Sequence, residues 1–321
     1  MGRAVEWGER HQIALYLAAI AAGAGLGLIA PAWAHPLELA ITPALGLLLY
    51  ATFLGVPFPS MLRGFRDGRF LGAVIVVNFV LVPAVVFVLT RFVTDDQAVL
   101  VGVLLVLLTP CVDYVIVFAG LAGGARDRLL AATPLLMLVQ VALLPLFLWV
   151  IAGGEVVAAF DARPFVDAFL LLIVVPLVLA VGTQVLAERA EVGRRVARGS
   201  TAVMVPLMMV TLAIVIASQI SAVAGSLPEL LRAVPLFVVF VPIAAVLGML
   251  VGGAIRMDAP GRRAVIFSGV TRNSLVVLPL ALALPASSFA LTPLVVVTQT
   301  LVELVAMVMM VALIPRLIRH P

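Results

Sequence analysis

The chain has no lysine, one cysteine and three histidines, and only 11% of its 321 residues are charged. Each scarcity excludes something. A single cysteine, Cys111, rules out a disulfide within the chain and any multi-thiolate metal centre. His11, His35 and His320 fall at ends or loops and form no ligand set. No glycine loop that cradles phosphate appears, so nothing supports transport driven by ATP. No nucleophile and base stand paired and no soluble domain is inserted, so the chain reads as neither an enzyme nor a sensor. No cofactor is expected. The net charge of +4 does not point to nucleic acid, because the basic residues lie between apolar runs. Soluble domains carry roughly 25% charged residues; so little charge marks an integral membrane protein living in a lipid bilayer.

What is present is long apolar sequence, 64% hydrophobic overall. One span takes about 20 residues. Ten helices are expected, near 12–30, 37–57, 70–91, 98–121, 129–152, 165–187, 200–220, 232–255, 263–284 and 291–315. Breakers separate them at 31–36, 63–69, 123–128, 153–164, 188–199 and 256–263. The first run resembles a signal peptide but is too long and lacks a clear cleavage site, so it reads as a span. Arginine placement orients the helices. Arg91, Arg163 and Arg232 fall on one side, Arg272 falls within a span, and the other sixteen of the 20 fall on the opposite side. Positive charge marks the cytoplasmic face. A multi-pass protein of the cell (inner) membrane, both termini cytoplasmic, is expected.

The stretch from Leu104 to Gly124 is apolar enough to cross a bilayer, yet its middle holds Thr109, Pro110, Cys111 and Asp113. Pro110 lacks a backbone donor and breaks the helix. Broken helices with polar groups belong where backbone lines a cavity. A shift of 159 residues carries Pro83 onto Pro242, Pro134 onto Pro293 and Gln140 onto Gln299. Five helices per half is an odd number, so the second copy is inverted, a signature of secondary transporters. The expected fold is an all-α membrane protein of ten transmembrane helices in two inverted five-helix repeats, residues 1–155 and 156–321 of one membrane domain. Helices four and nine are broken and cross. The same shift sets Asp113 against Arg272, and the two are expected to pair. The positive dipole end of a half-helix suits Asp113 and opposes Arg272, which calls for a partner.

Asp113, Arg272 and Glu303 are the ionisable groups deep in spans, and such groups mark substrate, proton or ion paths. The plain alternative is a structural ion pair between Asp113 and Arg272, and a Glu303 that only packs. Gln299 lies one turn before Glu303, on the same side of helix ten. Cys111 alone would read as a small buried hydrophobe. Directly after Pro110, beside freed backbone groups, it reads as a soft ligand. Thr109 and Thr271 are expected to satisfy backbone groups freed at each break. Asn78, Gln140, Asn273 and Ser274 are further polar groups expected to coordinate a cation, cap broken helices or join helices by hydrogen bonds.

A ten-helix inverted repeat with breaks in helices four and nine resembles the bile acid/sodium symporter superfamily. Within it, a helix-four cysteine (Cys111) and the glutamate of Leu301-Val302-Glu303 resemble the Acr3-type arsenite efflux permeases. The sequence departs from the commoner pattern in having Pro110 before the cysteine and Asp113 after it. The resemblance implies arsenical resistance: As(III), and in some members Sb(III), exported by proton antiport, with cysteine and glutamate essential. It also implies that helices three to five and eight to ten form a core distinct from helices one, two, six and seven. Cys111, Asp113, Arg272, Thr109 and Asn273 are then the substrate-binding candidates, with Cys111 holding As(III). Glu303, Asp113, Gln299, Gln140 and Asn78 are the candidates for coupling protons, or sodium. The competing expectation is a sodium-coupled importer of an organic anion, with Arg272 meeting its carboxylate. Association into a homo-oligomer is allowed by either.

Overall fold

Apolar runs make the helices of this chain, and proline and buried polar groups decide where they are interrupted. The computed structural model describes residues 3–55, 67–112, 114–154 and 170–318. In chain order the helices are α1 (Arg3–Ile29), α2 (Ala34–Leu54), α3 (Gly68–Val76), α4 (Val82–Leu89), α5 (Gln97–Leu107), α6 (Tyr114–Leu121) and α7 (Arg126–Ala152). They continue with α8 (Val175–Arg189), α9 (Glu191–Gly225), α10 (Val234–Ala254), α11 (Ala259–Val270), α12 (Ser274–Leu282) and α13 (Leu291–Leu317). Among the described residues there is no β-strand. Six helical stretches there are long and apolar enough to cross a membrane: 31–54, 68–93, 135–152, 202–225, 227–254 and 291–317. Large apolar side chains such as Leu39, Val80, Phe92, Val238 and Met309 stand exposed. Patches of that kind suit a lipid solvent and are rare on soluble monomers.

Two interruptions fall where expected: α5 stops at Leu107 and α6 starts at Tyr114, while α11 stops at Val270 and α12 starts at Ser274. A third is gentler. Between α3 and α4 the chain makes a wide π-helical turn, Val77–Leu81, just ahead of Pro83. A π turn absorbs a missing donor without ending the helix and is frequent at functional sites; this one contains Asn78. The expected breaker at 188–199 is a correction. Only Ala190, in an extended conformation, interrupts there, and α9 begins at once at Glu191. Ion pairs of Glu191 with Arg194 and Arg195, three and four residues on, support a polar first turn.

The chain divides into two compact units, each drawn from both halves of the sequence. The first holds Met1–Pro57 and Ala162–Ser226, and the second Phe58–Asp161 and Leu227–Pro321. This is the grouping that the family resemblance implies. In the first unit α1 and α9 approach closely: a Cβ on Gly23 would lie 2.6 Å from the Ala213 carbonyl oxygen. Small residues at helix interfaces permit such contact in membranes. In the second unit the broken helices form the centre. Every residue of α5 from Ala98 to Leu107 is buried, and so is nearly all of α12. A helix apolar all round belongs inside. Gly102 lets α13 close on α5, since a Cβ there would meet the Val295 side chain at 2.7 Å.

Candidate functional site

In an unbroken helix each N–H donates to the carbonyl four residues back. At the two breaks the donors are redirected. The Cys111 N–H donates to the Thr271 carbonyl (3.1 Å) and the Asn273 N–H to the Thr109 carbonyl (2.8 Å). These bonds form an antiparallel bridge that sets Pro110 opposite Arg272. The Arg272 N–H goes to Glu303 Oε2 (2.9 Å). The two breaks therefore cross and hold each other by backbone hydrogen bonds.

The two bonds join Cys111 to Thr271 and Asn273 to Thr109, symmetrically about Pro110 and Arg272, which lie 162 residues apart and not 159. Asp96 at the N-cap of α5 and Asp258 at that of α11 obey the same shift. The second half has three more residues between its proline and its broken helix (Pro242 to Asp258, against Pro83 to Asp96). Arg272 thus faces Pro110 across the crossing. Asp113, the partner expected for Arg272, lies outside the described residues.

Redirecting three donors leaves three carbonyls without their helical partners: Leu107, Ser268 and Gly269. The Arg272 guanidinium reaches all three. Its Nη1 donates to Leu107 O (3.2 Å), and its Nη2 to Ser268 O (2.7 Å) and Gly269 O (2.6 Å). A fourth oxygen, Asn78 Oδ1 from the π turn, lies 2.7 Å from Nη2, whose two protons are shared among it, Ser268 O and Gly269 O. The side chain is wholly buried, 5.5 Å from the centre of the Phe240 ring. The dipole expectation is corrected here. Arg272 precedes α12, but its charge lies at the C-terminal ends of α5 and α11, where helix dipoles favour a cation.

Glu303 is buried on α13 and bonded on both oxygens. Oε2 accepts from the Arg272 N–H and from Gln299 Nε2. Oε1 lies 2.6 Å from the Tyr114 hydroxyl, which is also 2.9 Å from the Arg272 carbonyl oxygen. A phenol has one proton and cannot donate to both. With Glu303 ionised, the phenol donates to the carboxylate. With Glu303 protonated, Oε1–H donates to the phenol, which donates to Arg272 O. Tyr114 thus links the charge of Glu303 to the backbone of the crossing.

The structure brings most expected residues together. Thr109, Cys111, Arg272, Asn273, Gln299, Glu303 and Asn78 all belong to this network. Thr109 and Thr271 return hydrogen bonds to the carbonyls of Leu105 and Phe267, which tidies the helix ends. Asn273 caps α12 by accepting from the Val276 N–H (3.3 Å). Its Nδ2 and the Ser274 hydroxyl are buried without a partner among the described residues. Gln140 is buried on α7, where its Oε1 has no partner among those residues. Sequence reasoning missed Tyr114 and Ser268, whose hydroxyl accepts from Asn78 Nδ2 (2.9 Å). The position of Tyr114 at the start of the half-helix after the break was the available signal.

Residues 42–226 match the Sodium Bile acid symporter family, more than half of the chain. The chain belongs to that family. No curated protein is similar enough to match it. Members of the family are transporters, not enzymes, and with its apolar helices the chain is a multi-pass membrane transporter. The family match covers Asn78, Cys111 and Tyr114 but ends before the second break, so Arg272 and Glu303 lie beyond it.

Proposed function

We propose that this chain is a secondary transporter of the Acr3 type that exports As(III), and Sb(III) with it, by proton antiport across the cell (inner) membrane. The observation that carries the reading is the crossing itself. The only thiol of the chain is buried at one break, and the other break is bonded through its backbone to a buried carboxyl. Arsenite is largely neutral at pH 7 and As(III) is thiophilic, so Cys111 supplies one strong bond. A single thiolate keeps binding reversible, as transport requires. Asn273 Nδ2 and Ser274 Oγ offer polar partners for the arsenite hydroxyls. Buried polar groups of this kind call for a partner.

Proton coupling falls to Glu303 and Tyr114. Loss of the Glu303 proton turns the phenol from Arg272 O to the carboxylate. The second break then loses a hydrogen bond where it crosses the first. Proton and cargo thereby act on one backbone element, which is what an antiporter needs. Ten spans in two inverted repeats with both termini cytoplasmic complete the reading, and alternating access carries the crossing to each side in turn.

A sodium-coupled importer of an organic anion is the second reading, favoured by the family match. Against it stands the engagement of Arg272 Nη1 and Nη2 with four oxygens, although the buried Nε–H has no partner among the described residues. As(III) uptake into everted vesicles under an imposed proton gradient, with and without sodium, tests both. Uptake that follows the proton gradient without sodium is expected. Dependence on sodium alone would favour the second reading.

A further inference from the structure

Among the described residues, four oxygens accept from the Arg272 guanidinium: three main-chain carbonyls and one amide oxygen, all neutral. Two of the carbonyls end α11 and one ends α5, so two helix dipoles converge on the same point. Neutral hard oxygens at unwound helix ends are the groups that bind monovalent metal cations in transporters with broken helices. Here a cation of the chain itself fills that place. Its carbonyl partners are those whose helical donors were redirected at the crossing.

We infer that Arg272 is a tethered cation, occupying an oxygen cage that would otherwise take a monovalent alkali cation such as sodium, and freeing the crossing from any need to bind one. The inference does not depend on arsenite being the cargo. It goes beyond the choice of proton coupling, because it states what holds the broken helices together. A guanidinium on a side chain cannot dissociate to either side of the membrane, so this cage contributes cohesion rather than ion coupling.

Thermal unfolding of the purified full chain tests the inference without reference to transport. Wild type, Arg272→Ala and Arg272→Lys are each melted in sodium chloride and in choline chloride at equal ionic strength. The wild-type midpoint is expected to be the same in both salts. Arg272→Ala should melt lower in choline, and its midpoint should rise saturably as sodium is added. Arg272→Lys keeps a cation in the cage and should melt alike in both salts. An Arg272→Ala midpoint that ignores the salt would overturn the inference, since no cation site would then exist. If Arg272→Ala gives no folded protein, the yield of Arg272→Lys against Arg272→Met decides. Lys recovering folded protein where Met does not supports a cation in the cage; equal yields refute it.

Discussion

The two breaks share one backbone device and differ in what their side chains do with it. Thr109-Pro110-Cys111 and Thr271-Arg272-Asn273 exchange one hydrogen bond each way, and each threonine returns a hydroxyl to the carbonyl four residues back. The first break is made by subtraction: Pro110 has no N–H to give. It leaves behind a thiol. The second is made by competition. Glu303 and the Thr109 carbonyl take the N–H groups of Arg272 and Asn273. The arginine then repays the carbonyls of both breaks. One break thus bears the buried thiol, and the other bears the buried arginine bonded through its backbone to Glu303.

The largest expected effects strike that division directly. Cys111→Ser should remove arsenite resistance from a sensitive host at unchanged membrane levels of the protein. Resistance equal to wild type would remove the first break from the substrate site. Glu303→Gln should export no As(III) against a gradient, while As(III) still protects Cys111 from a thiol reagent. Gradient-driven export by this variant would end the proton reading.

Next come the two residues that face each other in the bridge. Arg272→Leu leaves four buried acceptors without donors, each worth about 1–3 kcal/mol, so several kcal/mol of stability should be lost. Pro110→Ala relaxes only local backbone freedom and should cost about 1 kcal/mol or less. Denaturation of the two variants side by side checks this. Equal losses would mean that the breaks contribute equally and the division is wrong. Tyr114→Phe is intermediate in stability, about 1–2 kcal/mol for one hydrogen bond involving a chargeable group. Its more telling readout is the pH profile of export, which should move while the profile of Cys111 labelling does not.

The smallest effect contrasts the buried arginine with an exposed one. Arg232 bonds Asp95 at 2.6 Å on the surface, and this bond lowers the Asp95 pKa below its ordinary value. A lowered folded-state pKa stabilises above the unfolded pKa and is lost as pH falls through the folded one. Asp95→Asn should therefore lower the melting temperature slightly at neutral pH and not at all in acid. A loss as large as that of Arg272→Leu would show that burial is not what separates the two.

Much of this was legible in the residues. Long apolar runs, rare charge and one-sided arginine specify a helical membrane protein, because a bilayer leaves the backbone no partner but itself. Pro110 and the polar run Thr271-Arg272-Asn273-Ser274 mark the breaks, and Glu303 with Gln299 marks a polar face on an apolar rod. Periodicity and proline report on neighbours along the chain. They cannot report which carbonyl accepts a redirected N–H across it. For that reason the register of the crossing, the reach of Arg272 to helix ends on two segments, and the phenol of Tyr114 against Glu303 were decided only by the tertiary structure. Arg272 faces Pro110 across the crossing, 162 residues away and not 159, because hydrogen-bond pairing depends on position in space and not on spacing in sequence.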